Sequence, residues 1–292
     1  MTQRVRERIR WASQLRLGDR GAQFAMLAGI LLVVLGVGVF IGVLDAVREV
    51  DDIAALDAPA LQALASVRSP VATAVLTAIT TVAGPVVLPV VVLVGALVWA
   101  LVGKARWQAS LLAGAMVVST AVSFTVKAVV ARPRPPLVTM TVAGVQSTYS
   151  FPSGHTIGTA TFLLVLGYLV WVRRPRLRSL VWWAIGIAAG TLVVALSRLY
   201  LGYHFLTDVV ASIALAVAVL GGVVVVDRRR AGLAARRSVV TGSVVTGSVV
   251  TGSVVTGSAV TGSAGVDPSG EVSAISTDGG CPRCDSNARP SD

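Results

Sequence analysis

Six apolar runs, each long enough to cross a lipid bilayer, constrain this chain more than any other feature of its sequence. The hydrocarbon core of a bilayer is about 30 Å thick and needs about 20 apolar residues in a helix. Single chains cross it as helices or closed barrels, which satisfy their own backbone hydrogen bonds. We therefore predict an all-α fold, a six-transmembrane helical bundle. The predicted spans are residues 22–44, 84–102, 109–131, 155–172, 179–197 and 206–226.

The connection between the first two spans is apolar as well, but charged, polar and proline residues interrupt it. This pattern over residues 54–83 favours interfacial helices between the first and second spans rather than a seventh span. The chain then divides into a basic N-terminus (residues 1–21), a six-span domain (22–226) and a low-complexity tail (227–292). A hydrophobic fraction of 54% and a mean hydropathy of +0.79 agree with a membrane protein.

Basic residues are concentrated in alternate connections, and this asymmetry predicts the topology. Residues 1–23, 103–108, 173–178 and 227–237 together hold 17 Lys and Arg. The remaining connections hold five, namely Arg48, Arg68, Arg132, Arg134 and Arg198. Since basic connections stay on the cytoplasmic side, we predict that both termini are cytoplasmic. The net charge of +11 thus orients the chain, and we expect no nucleic-acid partner.

The C-terminal tail carries a five-residue repeat, Val-Val-Thr-Gly-Ser, that occurs four times from Val239 to Ser258. Units this short do not form solenoid repeats, and their Gly and Ser favour a flexible, disordered tail. Cys281 and Cys284 provide two thiols, whereas a structural zinc site needs four ligands. The tail therefore predicts no metal site, and nothing in the sequence identifies a protein partner.

The first group of candidate functional residues ends the third apolar run. Lys127 is an ammonium in an apolar segment, which is costly unless the charge is paired or hydrated. Arg132 and Arg134 follow, each directly before a proline, on the side that otherwise avoids positive charge. Because guanidinium groups bind phosphate oxygens through paired hydrogen bonds, these residues indicate a phosphate site.

The second group stands immediately before the fourth run. Ser153 is a typical N-cap residue, and Gly154 allows a ligand to approach the backbone closely. The start of a helix presents free N–H groups and a positive dipole to an anion. His155 follows directly. We predict that this helix start also contacts phosphate.

The third group surrounds the start of the last run. Arg198 is followed by His204 and then by Asp208. If both residues share the start of the last helix, a spacing of four places His204 and Asp208 on one face, where a carboxylate can orient an imidazole and stabilise its charge. By the predicted topology all three groups face the same side of the membrane. Together they offer cations for phosphate, two imidazoles for nucleophile and proton work, and an orienting carboxylate.

In combination these groups resemble the three-part signature of the type 2 phosphatidic acid phosphatase (PAP2) superfamily, which vanadium haloperoxidases share. The matching residues are Lys127 with Arg134-Pro135, then Pro152-Ser153-Gly154-His155, then Ser197-Arg198 with His204 and Asp208. The resemblance covers roughly residues 22–226. It implies a membrane lipid phosphatase with a lipid phosphate or diphosphate as substrate. By the topology predicted from the basic residues, its site faces the periplasm or the exterior.

The resemblance also implies a role for each residue. His204 would attack phosphorus and form a phosphohistidine, Asp208 would orient it, and His155 would protonate the leaving oxygen. Lys127, Arg134, Ser153, Gly154 and Arg198 would hold the phosphoryl oxygens, and Arg132 would lie behind them or contact the headgroup. No metal or cofactor is implied. A lipid phosphotransferase and a non-catalytic, phosphate-binding transporter remain as alternatives.

Overall fold

Helices form almost all of the described chain. The computed structural model describes residues 3–84, 87–141 and 148–255, and no β-strand occurs within these ranges. The predicted all-α fold is thereby confirmed for this part of the chain. Two compact units are distinguished, residues 1–239 and residues 240–292.

Eight α-helices and two short 3₁₀ helices follow one another along the described ranges. Their order and bounds are α1 (Gln3–Glu49), a 3₁₀ helix (Asp52–Leu56), α2 (Asp57–Ser66), α3 (Pro70–Val82), α4 (Val87–Leu101), α5 (Arg106–Val130), a second 3₁₀ helix (Leu137–Thr139), α6 (Gly154–Trp171), α7 (Leu177–Tyr200) and α8 (Leu206–Val255).

Five helices of the described chain are long and apolar enough to cross a bilayer. They are Gly21–Glu49 within α1, all of α5, α6 and α7, and Leu206–Ala234 within α8. The predicted span 84–102 corresponds to α4, which has only 15 residues. It qualifies as a span only together with α3, from which it is bent by 47°. Proline disfavours helix in the residue before it, so Pro85 in the sequence favours an interruption between α3 and α4. The six-span count and the interfacial position of α2 and α3 stay predictions.

Helix α8 continues beyond the last predicted span. The structure has helix up to Val255, which includes residues 227–255 of the tail that the sequence predicted to be flexible. Extending an existing helix costs less free energy than nucleating a new one, and this favours continuation from the apolar span into the repeat. Residues 256–292, with Cys281 and Cys284, lie outside the described residues.

Glycines allow α1 and α8 to pack backbone against backbone. A Cβ added to Gly36 would lie 2.5 Å from the carbonyl oxygen of Ala214, and one added to Gly221 would lie 2.5 Å from that of Gly29. Both distances are far below van der Waals contact, so neither position accepts a side chain at this separation. Helices α1 and α8 therefore make close backbone contacts at two positions along their length.

Helix α6 is central and packs against α5 and α7. Val165 and Leu169 on α6 are fully buried, in a cluster with Leu112 of α5 and Val223 of α8. Since α5, α6, α7 and α8 run alternately up and down, the ends of α5 and α7 meet the starts of α6 and α8. This end of the bundle carries all three groups of candidate residues.

Candidate active site

The structure brings the predicted site residues together at that end of the bundle. Lys127 and Arg198 lie in the last turns of α5 and α7, Gly154 begins α6, and Asp208 lies in the first turn of α8. A cavity of about 430 Å³ opens at this end of the bundle, and neither Arg198 nor Asp208 is among its lining residues. Its lining includes Lys127, Arg134, Gly154, His155 and His204.

The imidazole of His204 is held by the carboxylate of Asp208. Nδ1 of His204 lies 3.1 Å from Oδ2 of Asp208, and both side chains are buried. The same carboxylate oxygen accepts hydrogen bonds from the backbone N–H of Phe205 at 3.0 Å and from the hydroxyl of Ser150. A carboxylate only accepts, so Nδ1 carries the proton in this contact. The lone pair of the imidazole is therefore on Nε2, on the side of the cavity.

Burial keeps the His204 imidazole in its neutral form. It lowers the pKa of His204 from its ordinary value to about 3, although the hydrogen bond and negative charge of Asp208 act in the opposite direction. The positive charges of Arg198 and Arg134 lower this pKa further. A neutral imidazole has a free lone pair, and the environment therefore prepares His204 to act as a nucleophile.

Arg134 is fixed at the mouth of the cavity by backbone carbonyl groups. Its Nε donates to the oxygen of Thr148 at 2.6 Å, and its Nη1 donates to the oxygen of Tyr203 at 2.9 Å. Nη1 also lies 3.4 Å from Nε2 of His204. Burial lowers the pKa of Arg134, and the negative charge of Asp208 opposes this effect. A phosphoryl group next to Nε2 would thus meet a positioned guanidinium.

Arg198 is buried with part of its hydrogen-bonding capacity unused. Only 1% of the residue is exposed, and its Nη1 donates to the hydroxyl of Thr80 at 2.8 Å. Its guanidinium also lies over the ring of Tyr203, 4.6 Å from the centroid. Among the described residues Nε and Nη2 have no hydrogen-bond partner. A buried cation with two unused donors is costly, and an anionic ligand would remove that cost.

Lys127 is held beside the segment that enters α6. Its Nζ donates to the backbone oxygen of Tyr149 at 2.7 Å and to that of Ser150 at 3.3 Å. An ammonium has three donors, so one remains for a ligand in the cavity that Lys127 lines. The contact also ties the end of α5 to the residue that binds Asp208.

The start of α6 agrees with the predicted position of the helix but not with the predicted cap. Ser153 is at the N-cap, yet its side chain makes no capping hydrogen bond. Its hydroxyl instead accepts a hydrogen bond from the hydroxyl of Thr156 at 3.0 Å. The N-terminal N–H groups of α6 are therefore left for a ligand. A Cβ added to Gly154 would meet nothing within 4 Å, so open space lies beside this backbone.

Arg132, Asp57 and Thr207 form a buried network that sequence reasoning did not identify as a unit. Nη1 of Arg132 donates to Oδ1 of Asp208, and Nη2 donates to Oδ2 of Asp57, both at 2.7 Å. Asp57 also accepts from the backbone N–H of Thr207 at 2.9 Å and from its hydroxyl at 2.7 Å. Arg132 thus lies behind the carboxylate of Asp208. Of the two predicted positions, behind the site or at the headgroup, this is the first.

Little in the sequence pointed to the partners of Arg132. Asp57 and Arg132 are separated by 75 residues, and no local spacing rule joins them. The available signals were an arginine on a side that avoids positive charge and an aspartate among apolar residues at the start of α2. Ser150 and Thr80 carried no signal at all.

No group of three or more His, Cys, Asp and Glu side chains that could hold a metal ion occurs within the described ranges. His204 and Asp208 contact each other, and His155 lines the cavity. That the chemistry needs no metal or other cofactor stays a prediction, which chelation can test.

Comparison with known proteins places this geometry in context. Residues 108–231 match the PAP2 superfamily. Over 73 residues, 24% of this chain, the sequence is 37% identical to phosphatidylglycerophosphatase B of Bacillus subtilis (strain 168). That match spans only about a third of the relative, 35% of its length.

A solved structure is similar over a longer part of the chain. It is the crystal structure of a transmembrane PAP2 type phosphatidylglycerolphosphate phosphatase from Bacillus subtilis, with a TM-score of 0.57 and 24% sequence identity. The superposition covers 67% of this chain and 97% of that chain. At this level of identity the likeness shows a shared fold. Together with the apolar helices, it supports a multi-pass membrane protein.

Proposed function

We propose that this chain, whose residues 108–231 match the PAP2 superfamily, is an integral membrane phosphatase that dephosphorylates a lipid through a phosphohistidine. One observation carries the proposal. The imidazole of His204 is bound to Asp208 through Nδ1, 3.1 Å away, while Nε2 lies beside the guanidinium of Arg134 in the cavity. This is the arrangement of an activated nucleophile next to a phosphate-binding cation.

In the proposed reaction the lone pair on Nε2 of His204 attacks phosphorus. The bond between phosphorus and the leaving oxygen breaks, and that oxygen takes a proton from His155. A water molecule then attacks the phosphohistidine, giving up a proton to His155 and releasing inorganic phosphate. Both histidines return to their starting state, and no oxidant or further reactant is consumed.

The cations supply the electrostatic part of the mechanism. Negative charge develops on the phosphoryl oxygens in the transition state, and positioned donors stabilise it strongly in a site that excludes water. We assign this role to Lys127, Arg134 and Arg198, with the hydroxyl of Ser153 and the N–H of Gly154. The unused donors of Arg198 support the assignment, because a bound phosphoryl group would satisfy them.

We propose a lipid phosphate or lipid diphosphate as substrate, namely phosphatidic acid, phosphatidylglycerol phosphate or an isoprenoid carrier diphosphate. The position of the site at the end of apolar helices supports a lipid, as does the activity named for the B. subtilis relative. The basic connections at the opposite end of the bundle support a periplasmic or extracellular site and cytoplasmic termini.

Phosphate release from a panel of these lipids by the purified protein, with EDTA present, tests the proposal. We expect turnover with at least one lipid, none with His204→Ala, and inhibition by vanadate, which mimics five-coordinate phosphorus. Transfer to an alcohol in place of water would indicate a phosphotransferase. Binding of lipid without release of phosphate would indicate a transporter or a binding protein.

A second experiment tests the assigned role of His155. General acid catalysis contributes about 10²–10⁴ in rate, and it matters most for a poor leaving group. We expect His155→Ala to lose most kcat/KM on a lipid phosphate monoester, less on a diphosphate and least on p-nitrophenyl phosphate. His204→Ala should fail on all three. Equal losses for His155→Ala across the series would assign it a different task.

A further inference from the structure

The end of α3 lies beside the proposed phosphate site. Helix α3 packs against α7, and Ala83 and Gly84, which directly follow α3, line the cavity. A Cβ added to Gly84 would lie 3.4 Å from the carbonyl oxygen of Thr80 and 3.6 Å from Nε2 of His155. Thr80, in the last turn of α3, is therefore close to the proposed acid. It also lies outside residues 108–231, which match the PAP2 superfamily.

The side chain of Thr80 is one of two groups that restrain the guanidinium of Arg198. Thr80 is 6% exposed, and its hydroxyl oxygen accepts a hydrogen bond from Nη1 of Arg198 at 2.8 Å. The ring of Tyr203 lies against the face of the same guanidinium, 4.6 Å from centroid to Cζ. The hydrogen bond restrains the group within its plane, and the ring restrains the plane itself. Together they determine where the remaining N–H groups of Arg198 point.

The nitrogen atoms of Arg198 that have no partner form one edge of the guanidinium. Within the described part of the chain these atoms are Nε and Nη2. Their N–H bonds point in the same direction, whereas Nη1 lies on the other side of Cζ, next to Cδ. Two parallel N–H donors of this kind bind two oxygens of one phosphoryl group. Thr80 thus binds the one nitrogen that does not belong to this edge.

The orientation of Arg198 matters because its side chain lies behind the wall of the cavity. Arg198 is only 1% exposed and is not among the lining residues. The pKa of His204 is lowered first by burial and also by the positive charge of Arg198, so this charge acts at the proposed nucleophile. A guanidinium behind the wall can bind a phosphoryl group there only through the edge that is turned towards it.

We propose that Thr80 is a positioning residue, which holds Nη1 of Arg198 so that Nε and Nη2 face the phosphoryl group; this inference rests on the proposed phosphatase function. The ligand-free protein then already holds the arginine in its binding orientation. Without the acceptor the arginine must be ordered when the anion binds. Ordering one long side chain weakens binding about two- to tenfold. Serine keeps the acceptor, and valine removes it at nearly the same volume.

The first test measures vanadate binding and kcat/KM on phosphatidic acid with the purified full-length protein. We expect Thr80→Val to weaken vanadate binding about two- to tenfold and to lower kcat/KM by a similar factor. Thr80→Ser should resemble the unchanged protein in both. Thr81→Val is the matched control, since Thr81 is exposed on the same helix and its hydroxyl donates to the backbone oxygen of Thr77. It should change neither quantity.

A double-mutant cycle shows whether Thr80 acts through Arg198. Arg198→Lys keeps the positive charge, but all donors of a lysine belong to one nitrogen, so there is no edge for Thr80 to orient. We expect Thr80→Val to weaken vanadate binding by less than about twofold in this background, because the two residues act as a unit. Thermal unfolding confirms that each variant is folded. Thr80→Ala, which removes the same acceptor, replaces Thr80→Val if the latter is not.

Vanadate binding needs no turnover and therefore separates this inference from the proposed function. If no lipid is hydrolysed but vanadate binding follows the expected cycle, the phosphatase proposal is wrong and the role of Thr80 stands. Equal weakening in both backgrounds would assign Thr80 a general structural role and overturn the inference. Unchanged binding in Thr80→Val would overturn it as well. Tighter binding would show that the bond to Thr80 holds Arg198 away from the anion, the opposite of the proposal.

Discussion

Replacing Asp57 by asparagine perturbs the network behind the orienting carboxylate while leaving all the proposed phosphate contacts in place. In the structure Oδ2 of Asp57 accepts from Nη2 of Arg132 and from the hydroxyl of Thr207, and Oδ1 accepts from the N–H of Thr207. Asparagine has one oxygen where aspartate has two. Either orientation of the amide turns an N–H donor towards Thr207 or Arg132, which themselves donate there.

The magnitude follows from the loss of one charge-assisted hydrogen bond. Such a bond contributes about 1.5–3 kcal/mol, and the higher cost of an isolated buried charge is not reached, because Arg132 keeps its contact with Asp208. For a domain of this size each kcal/mol lowers Tm by about 2–4 °C. We therefore expect Asp57→Asn to lower Tm by about 3–12 °C. The substitution should also leave Asp208 less well oriented. This should reduce kcat/KM, though by less than His204→Ala does.

Thermal unfolding in detergent, followed by tryptophan fluorescence, measures the shift in Tm. Asp45→Asn is the matched control, since Asp45 is an exposed aspartate on α1 and its loss should cost less than about 0.5 kcal/mol. Thr207→Val, alone and combined with Asp57→Asn, completes a double-mutant cycle. Because both residues belong to one network, the two losses should not add. Equal Tm values for Asp57→Asn and Asp45→Asn, or strictly additive losses, would refute a coupled network.

Three further outcomes follow from the structure and the sequence. Because the pKa of His204 is lowered to about 3, its ring should stay neutral from pH 8 to pH 5. A His155→Gln variant has a single histidine, so NMR can follow this ring alone. It should show no titration near the ordinary pKa of about 6.5. Single cysteines at Val138 and Arg176 should be labelled in intact cells by an impermeant reagent at Val138 only; the reverse pattern would invert the topology. Deletion of residues 239–292 should leave the specific activity of correctly inserted protein largely intact, and a large loss would show that the tail contributes to the site.

The sequence was most informative where a short spacing determines a contact. A separation of four predicted that His204 and Asp208 lie together, and their side chains are 3.1 Å apart, although His204 precedes α8 and does not share its helix face. The capping of α6 shows the limit of such rules. They located the N-cap at Ser153, but the partner of its hydroxyl depends on how Thr156 turns within the folded helix. Local propensity specifies a position more reliably than a hydrogen bond.

Contacts between distant segments were beyond sequence reasoning. The pairing of Arg132 with Asp57 joins parts of the chain 75 residues apart, and it depends on how α2 lies against the start of α8. The predicted boundary between residues 83 and 84 falls between α3 and α4, but the 47° bend there was not predicted, since hydropathy measures where a chain is apolar and not where it bends. Both depend on tertiary packing, which a single sequence read in short windows does not contain.

The close backbone contacts at the glycines of α1 and α8 have a consequence for biosynthesis. Gly29 and Gly36 meet their partners near Gly221 and Ala214, so α1 docks on a helix that is synthesised much later. Until α8 is synthesised, the glycine face of α1 has no partner that fits it, although Val43 of the same helix can already pack with Val126 and Val130 of α5. Assembly of the bundle can therefore be completed only after the chain has been translated past residue 221, when the N-terminal helix closes the structure.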